Sequence, residues 1–230
     1  MTSFPGVTIL TPVTHDRLQF IDLMISNVTN QTYPHRLIEW LVIGDSFGET
    51  REKFEAAFLT IPDIECKYIE CDIVGDIGKK RNFSSSKASY EIMANMDSDD
   101  IYNKHYLACS IKELRERRVG LVGCRDMIIF FPSDEKKLIY IYGSSIHDGT
   151  MVYTRKHWRT FKYNKGMKAE GAGLVKGKFF NEMDIRKVMI CVAHSGNTFS
   201  KKCFLEKTSE IEITEEQKNS MIKMLPMAFS

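Results

Sequence analysis

The chain has 230 residues, with 32 Lys plus Arg against 30 Asp plus Glu and a formal net charge of +2 at pH 7. That length allows one large domain or two small ones, with enough core to need no disulfide staple. The near-balance of charge excludes a surface dedicated to nucleic acid or to an anionic membrane, and 14 Gly with 6 Pro exclude low-complexity and collagen-like chains. The six cysteines (Cys66, Cys71, Cys109, Cys124, Cys191, Cys203) form no C-x-x-C pair and are expected to be reduced, mostly packing residues of an intracellular protein. MTSFPGVTILTPV lacks the basic and long apolar regions of a signal peptide. No window approaches the roughly 18 apolar residues of a membrane span, so a cytoplasmic location is expected.

Short β-branched runs alternate with amphipathic stretches through residues 1–100, the pattern of βαβ units and a mostly parallel sheet. Residues 7–13 (VTILTPV) read as a buried strand. Leu18, Ile21, Ile25 and Val28 recur at three- and four-residue intervals and predict a helix over 17–30, broken by Tyr33-Pro34. There follow a strand at 39–44 (EWLVIG), a helix through Phe54, Ala57, Phe58 and Ile61, a strand at 66–71, a helix of weaker pattern at 79–89, and a strand at 90–96.

After Asp100 the pattern predicts a helix around 104–117, a strand at 119–124, and an antiparallel hairpin of 127–131 with 138–142 about PSDEKK. The glycine-punctuated region 143–177 holds a short strand at 151–154 and an aromatic-rich helix around Trp158; a strand at 188–193 and a helix at 214–225 complete the chain. Without repeats or a linker, one α/β domain over 1–230 is expected, with a mostly parallel central sheet, helices on both faces and a small antiparallel hairpin.

Asp97-Ser98-Asp99-Asp100 places three carboxylates at the end of an apolar run, where open α/β sheets form their ligand crevice. Like charges this close repel unless they are solvated or neutralised by a cation, so a divalent metal is one reading. The other is a solvated turn in which Asp99 or Asp100 caps the next helix. Lys79-Lys80-Arg81 at a helix start faces the positive dipole end, which favours a bound anion. The alternative for Lys79 and Lys80 is extension into water.

Read back from the acidic turn, GKKRNFSSSKASYEIMANMDSDD resembles the family-2-like nucleotide-sugar glycosyltransferases of the GT-A fold. In that family an Arg-Asn pair opens a helix, a small-residue stretch follows, and a strand ends in an Asp-x-Asp motif. TPVTHDR and EWLVIGDS are similar to its first two strand exits. The likeness covers about residues 7–106 well and the rest more loosely. It implies a Rossmann-like GT-A domain with a nucleotide-sugar-binding half at 1–106 and an acceptor half at 107–230.

By this resemblance Thr11, Pro12 and Val13 would border the nucleobase, Thr11 making the distinguishing contact. Asp45 would accept from the base imide, favouring uracil, and Asp76 is a further candidate there. Arg81 matches the family's arginine; Asp97, with Ser98 beside it, would meet the ribose or the metal through water, and Asp99 would bind the metal. For the base that deprotonates the acceptor hydroxyl, Glu170 is preferred over Glu182 and Asp184, because it precedes His194 by about the family's spacing. His194 would complete the metal site, and Asn197, Thr198 and Lys201 would hold the diphosphate. A mixed carboxylate and imidazole set suits Mn²⁺ better than Mg²⁺. His147, Asp148 and Trp158 fall where acceptor pockets form, Trp158 either as a sugar platform or as a buried packing residue.

The implied activity is metal-dependent, inverting transfer from a nucleoside diphosphate sugar, favouring a UDP-sugar, to a hydroxyl acceptor such as a glycan. Two rivals stand beside it. A non-catalytic module binding nucleotide sugar or glycan would bind donor without turnover. A sugar nucleotidyltransferase would carry a glycine-rich loop near the first strand, and TPVTHDR has no glycine.

Overall fold

A computed structural model describes residues 4–46, 49–134, 136–166, 169–175, 180–197, 200–205, 209–212 and 214–226. In chain order the elements are β1 (Val7–Pro12), α1 (Ile21–Thr29), β2 (Ile38–Gly44), α2 (Thr50–Phe58), β3 (Glu65–Glu70), α3 (Ile77–Lys87), β4 (Ile92–Asn95) and β5 (Ile101–Tyr102). Then come α4 (Tyr106–Glu116), β6 (Leu121–Gly123), β7 (Met127–Phe131), β8 (Lys137–Ile141), β9 (Val152–Thr154), α5 (Arg155–Phe161), α6 (Ala172–Val175), β10 (Phe180–Glu182), β11 (Met189–Val192) and α7 (Glu215–Lys223).

Seven strands form the central sheet in the order β10-β6-β9-β4-β1-β2-β3. β1 runs parallel to β2 and β4, β2 to β3, and β6 to β10, whereas β9 is antiparallel to both β4 and β6. Every residue of β2 is buried, as a parallel strand covered on both faces requires. Alternation along β1 sends Val7, Ile9 and Val13 into one core and Leu10 into the other. The first core takes apolar residues of α1, α2 and α4; the second takes Phe83 of α3, Trp158 of α5 and Leu174 of α6.

The expected hairpin is present as β7 and β8, paired antiparallel. It belongs to a second sheet, β5-β11-β7-β8, in which β11 is parallel to β7 and antiparallel to β5. β5, β10 and α6 span two, three and four residues, too short for periodicity to register in sequence. The helix expected over 17–30 is in two parts: a 3₁₀ turn at His15–Phe20, opened by Arg17 N–H donating to the Thr14 carbonyl, precedes α1. All six cysteines are unbridged. Among the described residues, no helix is long and apolar enough to cross a membrane.

Candidate active site

β1, β2 and β4 end along one edge of the sheet, and the loops beyond them enclose a cavity of about 1340 Å³. Small-molecule pockets usually measure roughly 300–1,000 Å³, so this one is large. The acidic turn, Arg81, Asp148 and Glu170 all line it.

The carboxylates of the turn have three different settings. Asp97 Oδ1 accepts from Arg81 Nη2 at 2.9 Å, while its backbone N–H donates to the Tyr102 hydroxyl at 2.8 Å. A Cβ on residue 149 would lie 2.8 Å from Asp97 Oδ2, so Gly149 keeps that oxygen accessible. Asp99 Oδ2 accepts from Arg17 Nη1 at 2.6 Å, His194 Nε2 at 2.9 Å and Asn197 Nδ2 at 3.3 Å. Burial opposes the charge of Asp99, but the His194 hydrogen bond and the cations Arg17 and Lys201 hold its pKa well below the ordinary value. Asp100 turns inward: its Oδ1 accepts from Val192 N–H at 2.9 Å, and burial pushes its pKa up to about 7. The solvated, helix-capping turn does not occur, since α4 is preceded by His105 without a side-chain cap.

Arg81 joins the two halves of the cavity. Its Nη2 holds Asp97 while its Nε donates to Glu170 Oε1 at 3.0 Å, and both members of that second pair are about 6% exposed. Asp148 lies against Glu170; burial, with the neighbouring Glu170 charge, pushes its pKa up to about 8. A Cβ on Gly171 would come within 1.8 Å of Asp148 Oδ1, so any other residue would force the pair apart. His147 also lines the cavity, and burial lowers its pKa to about 4. The alternative bases lie elsewhere: Glu182 pairs with Arg125 at 3.5 Å, and Asp184 caps a 3₁₀ turn and pairs with Arg186 at 3.6 Å.

On the opposite wall, Pro12, Val13, Asp45, Asp76 and Ser98 line the cavity. Asp45 is 8% exposed; its Oδ2 accepts from His15 N–H at 3.3 Å, and its Oδ1 is buried without a partner among the described residues. Thr11 does not face the site. Strand alternation turns it into the core, where its hydroxyl accepts from Trp40 Nε1 at 2.9 Å. The Asp76 carboxylate is committed to the start of α3, with Oδ1 accepting from Lys79 and Gly166 N–H, each at 2.8 Å. Those backbone bonds, led by Gly166, lower its pKa.

Lys79 extends outward to Asp76, whereas Lys80 does not reach for water: it is 5% exposed and its Nζ donates to the Val13 carbonyl at 3.0 Å. Burial lowers its pKa. Trp158 is absent from the cavity wall. It packs in the second core, donating its indole N–H to Asn82 Oδ1 at 3.0 Å, which makes it a structural residue.

Of the closing segment, Asn197 and Lys201 line the cavity, and Thr198 lies outside the described residues. Asn197 is committed locally: its Oδ1 accepts from His194 N–H at 2.7 Å and its Nδ2 donates to Asp99 and to the Val192 carbonyl. Burial works against the charge of Lys201, yet Cys191 and the carboxylates of Asp100, Asp99 and Asp97 hold its pKa above the ordinary value. The backbone N–H of Gly196 donates to His194 Nδ1 at 3.1 Å, which turns Nε2 toward Asp99 Oδ2 at 2.9 Å. His194 therefore orients Asp99.

Arg17 and Lys80 were not assigned from sequence. Arg17 stands in the TPVTHDR exit itself, but only the tertiary structure shows it reaching Asp99, 82 residues away.

Among the described residues, no three His, Cys, Asp or Glu side chains are grouped to hold a metal ion by themselves. The donor set nevertheless fits a hard divalent cation: two carboxylates, one kept accessible by Gly149, with phosphate oxygens for the other positions. The cation already seated at Asp99, the Arg17 guanidinium, marks the site as one for positive charge.

The acidic turn and the buried carboxylates converge at the carboxyl edge of a mostly parallel sheet, where open α/β sheets form their ligand crevice. The model of glycosyl transferase family 2 matches residues 9–183, and the chain belongs to that family. The fold is that of the GT-A glycosyltransferases. Staphylococcus aureus TarS 1–349 in complex with UDP superposes with a TM-score of 0.62 at 14% identity, over 82% of this chain and 60% of that one. Its complex with UDP-GlcNAc gives 0.63 at 12% identity, over 95% and 65%. The mannosyltransferase PcManGT from Pyrobaculum calidifontis, in complex with GDP-Man and Mn²⁺, gives 0.64 at 18% identity, over 87% and 59%. The chain thus spans about three-fifths of the length of these structures. Comparison with curated protein sequences gives no match.

Proposed function

We propose that the chain transfers a sugar from a nucleoside diphosphate sugar to a hydroxyl of a glycan acceptor, with inversion, and that the donor is a UDP-sugar. The observation that carries this reading is the Arg81 bridge, 2.9 Å to Asp97 and 3.0 Å to Glu170, which fixes the donor turn and a buried carboxylate in one cavity. Family membership supports the reaction class. The buried, unpartnered Asp45 Oδ1 supports a donor with an imide N–H, which uracil supplies. TarS, solved with UDP and with UDP-GlcNAc, supports the same choice.

Glu170 takes the acceptor hydroxyl proton as that oxygen forms its bond to the anomeric carbon. The bond from the anomeric carbon to the diphosphate oxygen breaks on the other side, its electron pair going to the diphosphate. Lys201, held charged beside the acidic turn, meets that negative charge. A divalent cation, Mn²⁺ or Mg²⁺, held by Asp99 and by Asp97 directly or through water, would supply further positive charge to the leaving group. Asp148 and His147, which line the same cavity as Glu170, would bound the acceptor subsite.

The test is a thermal-shift panel of nucleoside diphosphates and their sugars with and without Mn²⁺, followed by hydrolysis of the best donor. A ligand at 100 times its dissociation constant stabilises by about 2.7 kcal/mol. UDP-sugars shifting the melting temperature and being consumed is the expected result; binding without any consumption, with or without acceptor glycans, would leave a binding module instead.

A further inference from the structure

The acidic site contains a cation supplied by the protein. Arg17 Nη1 lies 2.6 Å from Asp99 Oδ2 and 3.1 Å from His194 Nε2, and Nη2 donates to the Gly196 carbonyl. The side chain is 12% exposed yet lines the same cavity as Lys201 and the acidic turn. Asp97 has its own partner in Arg81, so each outward carboxylate of the turn is already matched by a guanidinium. A divalent ion approaching Asp99 would meet Arg17 at contact distance, and like charges that close repel. Ion and guanidinium cannot both hold Asp99 Oδ2.

We propose that Arg17 is the resident counter-cation of Asp99 and exchanges with the divalent ion, turning from Asp99 to the donor diphosphate as the ion is loaded. This rests on the nucleotide-sugar reading above. A guanidinium matches phosphate oxygens bidentately as well as it matches a carboxylate, so the side chain exchanges one anion for another of like geometry. Two consequences follow. Arg17 weakens binding of the ion alone, and the diphosphate, by giving Arg17 a second partner, makes ion and nucleotide bind cooperatively. Because Arg17 also holds the Gly196 carbonyl, its departure releases one tie between the acidic turn and the loop after β11.

The experiment measures Mn²⁺ binding to the full chain, from the electron paramagnetic resonance of the unbound ion, with and without UDP. Arg17→Gln is expected to tighten Mn²⁺ alone by about tenfold, and to lose most of the tightening that UDP gives the wild type, within the usual 5- to 150-fold range of such coupling. Mn²⁺ binding to Arg17→Gln no tighter than to wild type overturns the proposal and leaves Arg17 as a structural ion pair. A second measurement needs no variant. In wild-type protein carrying ¹⁵N-arginine, the Arg17 side-chain resonance should move from its carboxylate-paired position to a distinct phosphate-paired one as Mg²⁺ and UDP saturate; an unchanged resonance overturns the exchange. Wild type that binds Mn²⁺ but no nucleotide diphosphate would remove the functional reading, while the Mn²⁺ comparison without UDP still decides whether Arg17 competes for Asp99.

Discussion

Glu39 and Asp148 are carboxyl groups set into opposite ends of the same sheet, and their surroundings drive them in opposite directions. Glu39, near the amino end of β2, is wholly buried; Thr8, Ser89 and Lys67 donate to its two oxygens. Burial alone would raise its pKa, but those hydrogen bonds, Ser89 foremost, lower it. Asp148, at the carboxyl end, is buried with a second carboxylate, Glu170, against it, and its pKa rises to about 8. One end of the sheet satisfies its polar groups internally, as a structural network does. The other keeps Asp45 Oδ1 and Arg81 Nη1 buried without partners among the described residues around a cavity, which is the pattern of a ligand site.

The sharpest break between the two ends is expected in activity. Glu170→Gln should lower transfer or donor hydrolysis by about 10² to 10⁴ and leave UDP binding, followed by thermal shift, within a few-fold of wild type. Turnover of Glu170→Gln at the wild-type rate would remove Glu170 as the base. Next in size is the structural end: Glu39→Ala strands the Thr8 and Ser89 donors and should cost about 3 kcal/mol in urea unfolding. A loss under about 0.5 kcal/mol would show the Glu39 network to be unimportant.

The pH dependence separates the ends by sign. The folded pKa of Asp148 lies above its unfolded value, so its contribution is fully present below about pH 4 and is lost as pH rises through about 8. Glu39 is lowered in the folded state, so its contribution is present at neutral pH and lost in acid. Melting temperature against pH should therefore decline less between pH 4 and 8 for Asp148→Asn than for wild type, and an unaltered slope would contradict the burial of Asp148. Smallest of all, Trp158→Phe should cost about 1 kcal/mol for the lost Asn82 bond and leave acceptor KM unchanged; a large rise in KM would restore Trp158 as a sugar platform.

Residues whose position depends on strand ends are legible in the sequence. Asp97 and Asp99 follow an apolar run, Asp45 follows another, and all three line the cavity. Glu170 was reached only through the family resemblance, because nothing local marks it; its place is set by Arg81 from 89 residues away. Thr11 was misplaced although it stands at a strand end. With a side-chain period of two, Thr11 shares a face with Val7, Ile9 and Val13 and so meets Trp40 in the core. Nothing local marks Arg17, and Lys80 reaches the Val13 carbonyl where extension into water was one expectation: long side chains choose among distant partners, and that choice is made by tertiary packing. The second sheet was read as an isolated hairpin because β5 is only two residues long and pairs with β11, far along the chain.

The central claim is that a nucleotide sugar sits between the acidic turn and Glu170. Titration calorimetry of a UDP-sugar with Mn²⁺ into wild type and into Asp97→Asn/Asp99→Asn tests it most directly. The account predicts binding to wild type and at least about a hundredfold loss in the double variant, equivalent to about 2.7 kcal/mol. Equal affinity in both proteins would contradict it.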